Sequence, residues 1–213
     1  MRKQSLIVAL ACLVANAGAT VPVSAKPITF AVGDPEKRDS ISFNSDAPIE
    51  VIVGHTSDVK GEVVVDESLD LSKTPITAHF EVPLASIDTG IPLRNEHMRD
   101  NFLETAKYPN ATFKLSKIST GVIKPGQKLS VTADGEFTIH GVTVKKQVPV
   151  DIFYVKKCAD KQKMPGCDLL QIKAKFPVKL DDHKIKRPEA VFQKLASTVF
   201  VTVAATAFYK AAK

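Results

Sequence analysis

The chain has 213 residues, with 29 Lys and Arg against 23 Asp and Glu, a formal net charge of +6 and no Trp. Its three Tyr are not interleaved with the cations, so the stacking platform of a nucleic-acid binder is missing. No G-x-S-x-G elbow, P-loop or dinucleotide fingerprint occurs, and none of the five His pairs at zinc-ligand spacing, which points away from an enzyme, a cofactor and a bound metal.

Arg2 and Lys3 precede an apolar run over residues 6–15, and Val23-Ser24-Ala25 supplies a small-residue cleavage site. Together they read as a secretory signal peptide, because the apolar run is too short to span a bilayer. An earlier cut after Ala19 also fits. Cleavage after Ala25 removes residues 1–25 and leaves 26–213 as one domain, exported to the periplasm or secreted.

Period-two alternation then predicts strands over 40–45, 49–54, 62–66 and 76–82; in the last, Ile76, Ala78, Phe80 and Val82 alternate with Thr77, His79 and Glu81. A single helix is expected between residues 92 and 107. Met98 and Phe102 lie four apart on one face, and Tyr108-Pro109 ends it because the residue before proline is disfavoured in α geometry. Arg94, His97 and Asn101 project together from a neighbouring face, and Arg94, His97 and Arg99 suit a cap over one end of a barrel, where a ligand's head group would sit. With Asn95 they form the candidate head-group set. A plainer reading pairs Arg94 and Arg99 with Glu96, Asp100 or Glu104 along the helix and hydrogen-bonds His97 to backbone.

A further strand is expected over 111–118. Leu129, Val131, Ala133, Gly135, Phe137 and Ile139 then share one face of a long strand; His140-Gly141 breaks the run as a tight turn, and Val142, Val144, Val148, Val150, Ile152 and Tyr154 resume it, interrupted by Lys146 near a rim. Two more strands are expected over 169–176 and 198–208, with a weak helical turn over 188–194. Nine or ten strands without helix-length connections imply an all-β fold, an antiparallel barrel or a sandwich.

Small inward residues (Ala78, Ala133, Gly135, Ala174 and Ala205) would leave room along a barrel axis, although alternation of small and large residues also fits a solid taper. If the barrel is hollow, the candidate lumen is Ala78, Phe80, Phe102, Phe113, Val131, Ala133, Phe137, Val150 and Ile152; the aromatic members fit an ordinary core as well.

Once Cys12 leaves with the leader, Cys158 and Cys167 remain, an even number in an exported chain, on either side of a polar run with Pro165-Gly166. A disulfide closing that hairpin would stabilise by roughly 2 to 3 kcal/mol. Between Lys145 and Arg187, twelve Lys or Arg accompany five Asp or Glu. That excess suits either a solvated outer face or contact with an anionic membrane surface. Asp181-Asp182-His183 is polar, yet adjacency alone does not build an acid-base pair, since consecutive side chains point in different directions.

Three stretches carry a family resemblance: RNEHMR at 94–99, NFLETAKYPNATF at 101–113 and GEFTIHGVT at 135–143. In this order they resemble the YceI-like family of secreted polyisoprenoid-binding proteins, over roughly residues 28–208. Asn95 stands where that family usually has Asp, and the Cys158 to Cys167 segment lengthens one hairpin. The resemblance implies a lipocalin-like antiparallel barrel, a short capping helix and an apolar cavity. The expected function is extracytoplasmic binding of an isoprenoid, quinone or fatty-acyl chain, for transport, storage or shielding. The competing expectation is a non-enzymatic structural or stress-related barrel that meets a protein or membrane surface through its basic face. A homodimer is left open.

Overall fold

A computed structural model describes residues 26–73, 76–157 and 168–210. The expected signal peptide and the expected Cys158 to Cys167 bridge fall outside the described residues. Ten antiparallel strands follow the alternation: β1 Pro27–Val32, β2 Ser40–Asp46, β3 Val51–Thr56, β4 Lys60–Asp66, β5 Thr77–Pro83, β6 Asn110–Ile118, β7 Lys128–Ile139, β8 Val142–Lys156, β9 Asp168–Lys179 and β10 Thr198–Lys210. β1 pairs with both β4 and β10, so eight strands close a barrel in the order β1-β4-β5-β6-β7-β8-β9-β10. The hairpin β2–β3 adds to the wall along the same edge of β10 that β1 uses further on.

β1 is the strand that the sequence reading lacked, and it is the one that closes the barrel. Its alternation is short, yet Phe30 and Val32 are buried as the pattern requires. β10 pairs with β2 through residues 200–204 and with β1 through residues 207–210, which leaves Ala205 and Thr206 between them. The Asp39 carboxylate, 2% exposed, fills this seam: one oxygen accepts the Thr206 N–H at 2.8 Å and the other accepts the Asp34 N–H at 2.8 Å. Backbone donors that would otherwise be buried without partners are thereby satisfied.

The long β7–β8 hairpin keeps its register from Lys128↔Phe153 to Ile139↔Val142. His140 and Gly141 form its two-residue turn with φ of 54° and 71°, the left-handed geometry that matches the twist of paired strands. A bulge between Leu115 and Lys117 shifts the pairing of β6.

The expected helix over 92–107 is shorter and changes its winding. α1 spans Pro92–His97, and a wider turn follows over Met98–Phe102, in which the Leu103 N–H reaches the Met98 carbonyl at 2.9 Å. Widening draws both Met98 and Phe102 toward the barrel axis and buries Leu103. Glu104 then turns the chain with φ of 47°. The weak turn expected over 188–194 is a single 3₁₀ turn at Glu189–Val191.

Strand direction places two different ends on the barrel. One end is plugged by the loops after β4 and β6, where the Leu71 N–H bonds the Gly121 carbonyl and the Ile123 N–H bonds the Leu69 carbonyl, burying Leu69, Leu71 and Ile123. At the other end lie the segment from Leu84 to Pro109, with α1 at its centre, and the segment from Leu180 to Ser197.

Candidate functional site: an apolar cavity with a polar mouth

Between these ends the barrel encloses a cavity of about 590 Å³. Its lining begins at the plug with Leu71, Ile118 and Ile123 and reaches Arg94, His97 and Met98 under the cap. The strand positions around it are almost wholly aliphatic or Phe. Its polar members are gathered at one end, where Glu50, Thr89, Arg94, His97 and Lys194 meet; Ser42 and Thr112 are the exceptions, set between inward-facing apolar neighbours. The volume falls within the roughly 300–1,000 Å³ of small-molecule sites, and a dry wall with a few polar groups at one end is the usual make-up of such sites.

Most of the sequence-nominated lumen residues line this cavity: Ala78, Phe80, Phe102, Phe113, Ala133, Phe137, Val150 and Ile152. Val131 does not. It lies lower on β7, 6% exposed, in the same buried cluster as Phe30 and Tyr154, which also stay outside the lining, and Val65 and Leu170, which belong to it. Ala78, Ala133 and Ala174 leave room, as small inward residues should. Gly135 acts differently: a Cβ there would stand 2.4 Å from the Phe113 ring and 2.6 Å from the Lys114 carbonyl, so this glycine is the seat of an aromatic ring that itself lines the cavity. Ala205 is buried in the strand seam away from the lining.

The mouth is organised around Arg94. Its Nε donates to Thr89 Oγ1 at 3.0 Å, Nη2 to the Thr89 carbonyl at 2.8 Å, and Nη1 to Glu50 Oε1 at 2.8 Å. Arg94 thus ties α1 to the β2–β3 turn, rather than pairing with Glu96, Asp100 or Glu104 along its own helix. Asn95 points to the other side of the loop before α1. Its Oδ1 accepts from the Thr89 N–H at 2.8 Å and the Thr89 hydroxyl at 2.6 Å, and its amide donates to Asp88 Oδ1 at 2.6 Å. The Gly90 N–H, then the Asn95 amide, hold the Asp88 carboxyl below the usual carboxylate range, with the charge of Arg99 a smaller contributor. Asn95 and Arg99 are absent from the cavity lining; Asn95 braces the loop before α1 and Arg99 acts on Asp88 through its charge, while Arg94 and His97 line the cavity, His97 exposed.

Glu50 and Lys194 were invisible to the sequence reading. Glu50 lies 44 positions before Arg94 and reaches it only through the β2–β3 hairpin. Lys194 arrives on the loop between β9 and β10.

A second polar group packs against the cavity wall. His183 is fully buried; its Nδ1 lies 3.0 Å from the Val142 carbonyl, and its ring stands edge-on to Phe137 with centroids 5.4 Å apart. Burial pushes its imidazole below the usual range, over the opposing effect of the Val142 hydrogen bond. His140 Nδ1 meets the His183 carbonyl at 3.1 Å, and Nε2 meets Glu104 at 3.1 Å. Asp181 and Asp182 of the same short turn are exposed while His183 points inward, so the three do not assemble.

The family model of the YceI-like domain matches residues 34–207. Protein YceI of Escherichia coli O157:H7 is 33% identical over 138 residues, covering 63% of this chain and 64% of that protein, so the chain matches a little under two thirds of that curated relative's length. Among solved structures, a polyisoprenoid binding domain from Saccharophagus degradans implicated in plant cell wall breakdown superimposes with a TM-score of 0.64 at 16% identity, over 85% of this chain and 98% of that one. Burkholderia cenocepacia BcnA superimposes with a TM-score of 0.60 at 19% identity, over 79% and 96%. At those identities the likeness is one of fold. The family match itself runs from the turn after β1 into β10, through cavity wall and cap alike: the chain belongs to the YceI-like domain family.

Proposed function

We propose that this barrel is an extracytoplasmic lipid-binding protein that encloses the hydrocarbon tail of an isoprenoid, a quinone or a fatty-acyl compound, with the polar head at the mouth, and that it carries, stores or shields the lipid without transforming it. The observation that carries this reading is the 590 Å³ cavity, apolar along its length save for Ser42 and Thr112, with its charged residues at one end only. Transfer supplies the driving force. About ten methylene equivalents moved from water contribute roughly 8 kcal/mol at about 0.8 each, the scale of a micromolar complex before the tail's lost freedom is deducted. Such a wall selects by length and girth, and Arg94, His97, Glu50 and Lys194 select the head by hydrogen bonding and charge.

A relative described as a polyisoprenoid binding domain shares the fold, which supports the choice of ligand class. Export rests on the leader read in residues 1–25. Organic extraction of gently purified protein, followed by mass spectrometry, tests the reading: it predicts a long-chain amphiphile in stoichiometric amount. Protein that is repeatedly empty and ignores added polyprenol, quinone and fatty acid would overturn it.

A further inference from the structure

The cavity mouth is ringed by large apolar side chains that the fold leaves in water. Ile49 is 62% exposed, Ile91 49%, Leu93 59% and Phe192 48%. They come from three segments far apart in sequence that are stitched together at this end. The Ile49 N–H donates to the Gln193 carbonyl at 3.1 Å, next to Phe192, and Glu50 pairs with Arg94, next to Leu93. Ile91, Leu93 and Val191 also line the cavity, so the apolar rim is continuous with the interior. Val51, Val53 and Phe200 extend the exposed apolar surface along the adjoining hairpin and β10.

Charge accompanies the rim. Lys184, Lys186, Arg187 and Lys194 lie on the 184–195 segment with Glu189 as its single carboxylate. The Arg187 guanidinium stands 5.0 Å from the centre of the Phe192 ring. Of the carboxylates at this end, Glu50 is engaged by Arg94 and Asp88 by Gly90 and Asn95, while Asp46, Glu96 and Asp100 are exposed.

We infer that this collar docks the open end of the barrel on an anionic phospholipid bilayer. Ile49, Leu93 and Phe192 enter the interfacial layer while the flanking cations meet lipid phosphates, so that a tail passes between bilayer and cavity without crossing water. An apolar ring of this extent beside the cation-rich 184–195 segment matches the two forces that hold peripheral proteins on membranes, and its continuity with the cavity favours a bilayer over a protein partner. The inference rests on the lipid-binding reading above, and its test separates the two.

The experiment is flotation of the full chain with phosphatidylcholine vesicles, with and without phosphatidylglycerol, alongside titration of a soluble fluorescent fatty acid. Wild type floats with the anionic vesicles, less so at high salt. Ile49→Asp and Phe192→Asp, which do not line the cavity, weaken flotation about tenfold or more while binding the fatty acid unchanged. Val122→Asp, at an exposed position on the plugged end, floats as wild type does. Fatty-acid binding without flotation, or flotation unaffected by the two rim substitutions, overturns docking and leaves the cavity reading standing. Flotation without fatty-acid binding counts against the cavity reading instead.

Discussion

Arg94 and His97 were nominated together, yet their surroundings assign them different work. Arg94 spends three donors on Thr89 and Glu50, so its loss unties α1 from the hairpin and leaves polar partners unmatched. Arg94→Ala is expected to lower unfolding free energy by about 1 to 3 kcal/mol and to weaken ligand retention as well. His97, exposed at the mouth, should weaken retention as His97→Ala with a stability change within about 0.5 kcal/mol. Urea denaturation beside ligand titration checks both; equal stability losses would make His97 structural.

The buried His183 gives a pH signature. Its folded pKa is depressed, so the unfolded chain takes up a proton that the fold resists. Stability from this site is full above about pH 6.5 and declines as pH falls through that value, before carboxylates begin to titrate. Melting temperature should drop between about pH 7.5 and pH 5.5, and His183→Phe should flatten that slope even if the variant is less stable throughout. At this scale the sequence was informative where motif residues act locally and silent where they act through the fold. Asn95 was grouped with the head-group residues, but its amide and carbonyl are used by Asp88 and Thr89. Glu50 and Lys194 gave no signal, because nothing local marks a residue that arrives from another hairpin.

Among the elements, strands were legible because one face is buried and the other wet, and the His140-Gly141 turn because its left-handed geometry demands such residues. The helix was overextended because the Met98 and Phe102 spacing suits an ordinary helix as well as the wider turn that forms. Gly135 read as free space and serves as the seat of Phe113. β1 was missed because its six residues begin just after the stretch read as a leader, and its importance lies in pairings that sequence does not display. The seam it forms with β2 yields the element-scale prediction. Asp39→Ala removes the acceptor for the Thr206 and Asp34 N–H groups and should cost about 2 to 5 kcal/mol, read as a lower urea midpoint with accelerated amide exchange at residues 204–207. Unchanged exchange there would show the seam to be held by strand pairing alone.

For the whole molecule, closure and hollowness are separate achievements. Closure follows from β1 pairing on both of its edges, and hollowness from alanines at Ala78, Ala133 and Ala174 facing a volume that Phe80, Phe113, Phe137 and Phe176 surround without filling. Composition alone could not separate a taper from a tunnel, since both need small residues inside; the plug of Leu69, Leu71 and Ile123 at one end and the polar mouth at the other decide it. The basic run from Lys145 to Arg187 is divided in the same way, with Lys145, Lys173 and Lys175 exposed along the strands of the wall and Lys184, Lys186 and Arg187 near the mouth.

Native mass spectrometry of delipidated protein mixed with a polyprenol, set beside Ala133→Phe, bears most directly on whether the interior is a lipid site. Wild type should form a one-to-one adduct, and the filled variant, with its melting temperature checked separately, should lose most of it. An adduct undiminished when Ala133 is replaced by Phe in a folded protein would place the lipid outside the barrel and contradict the enclosed-tail account.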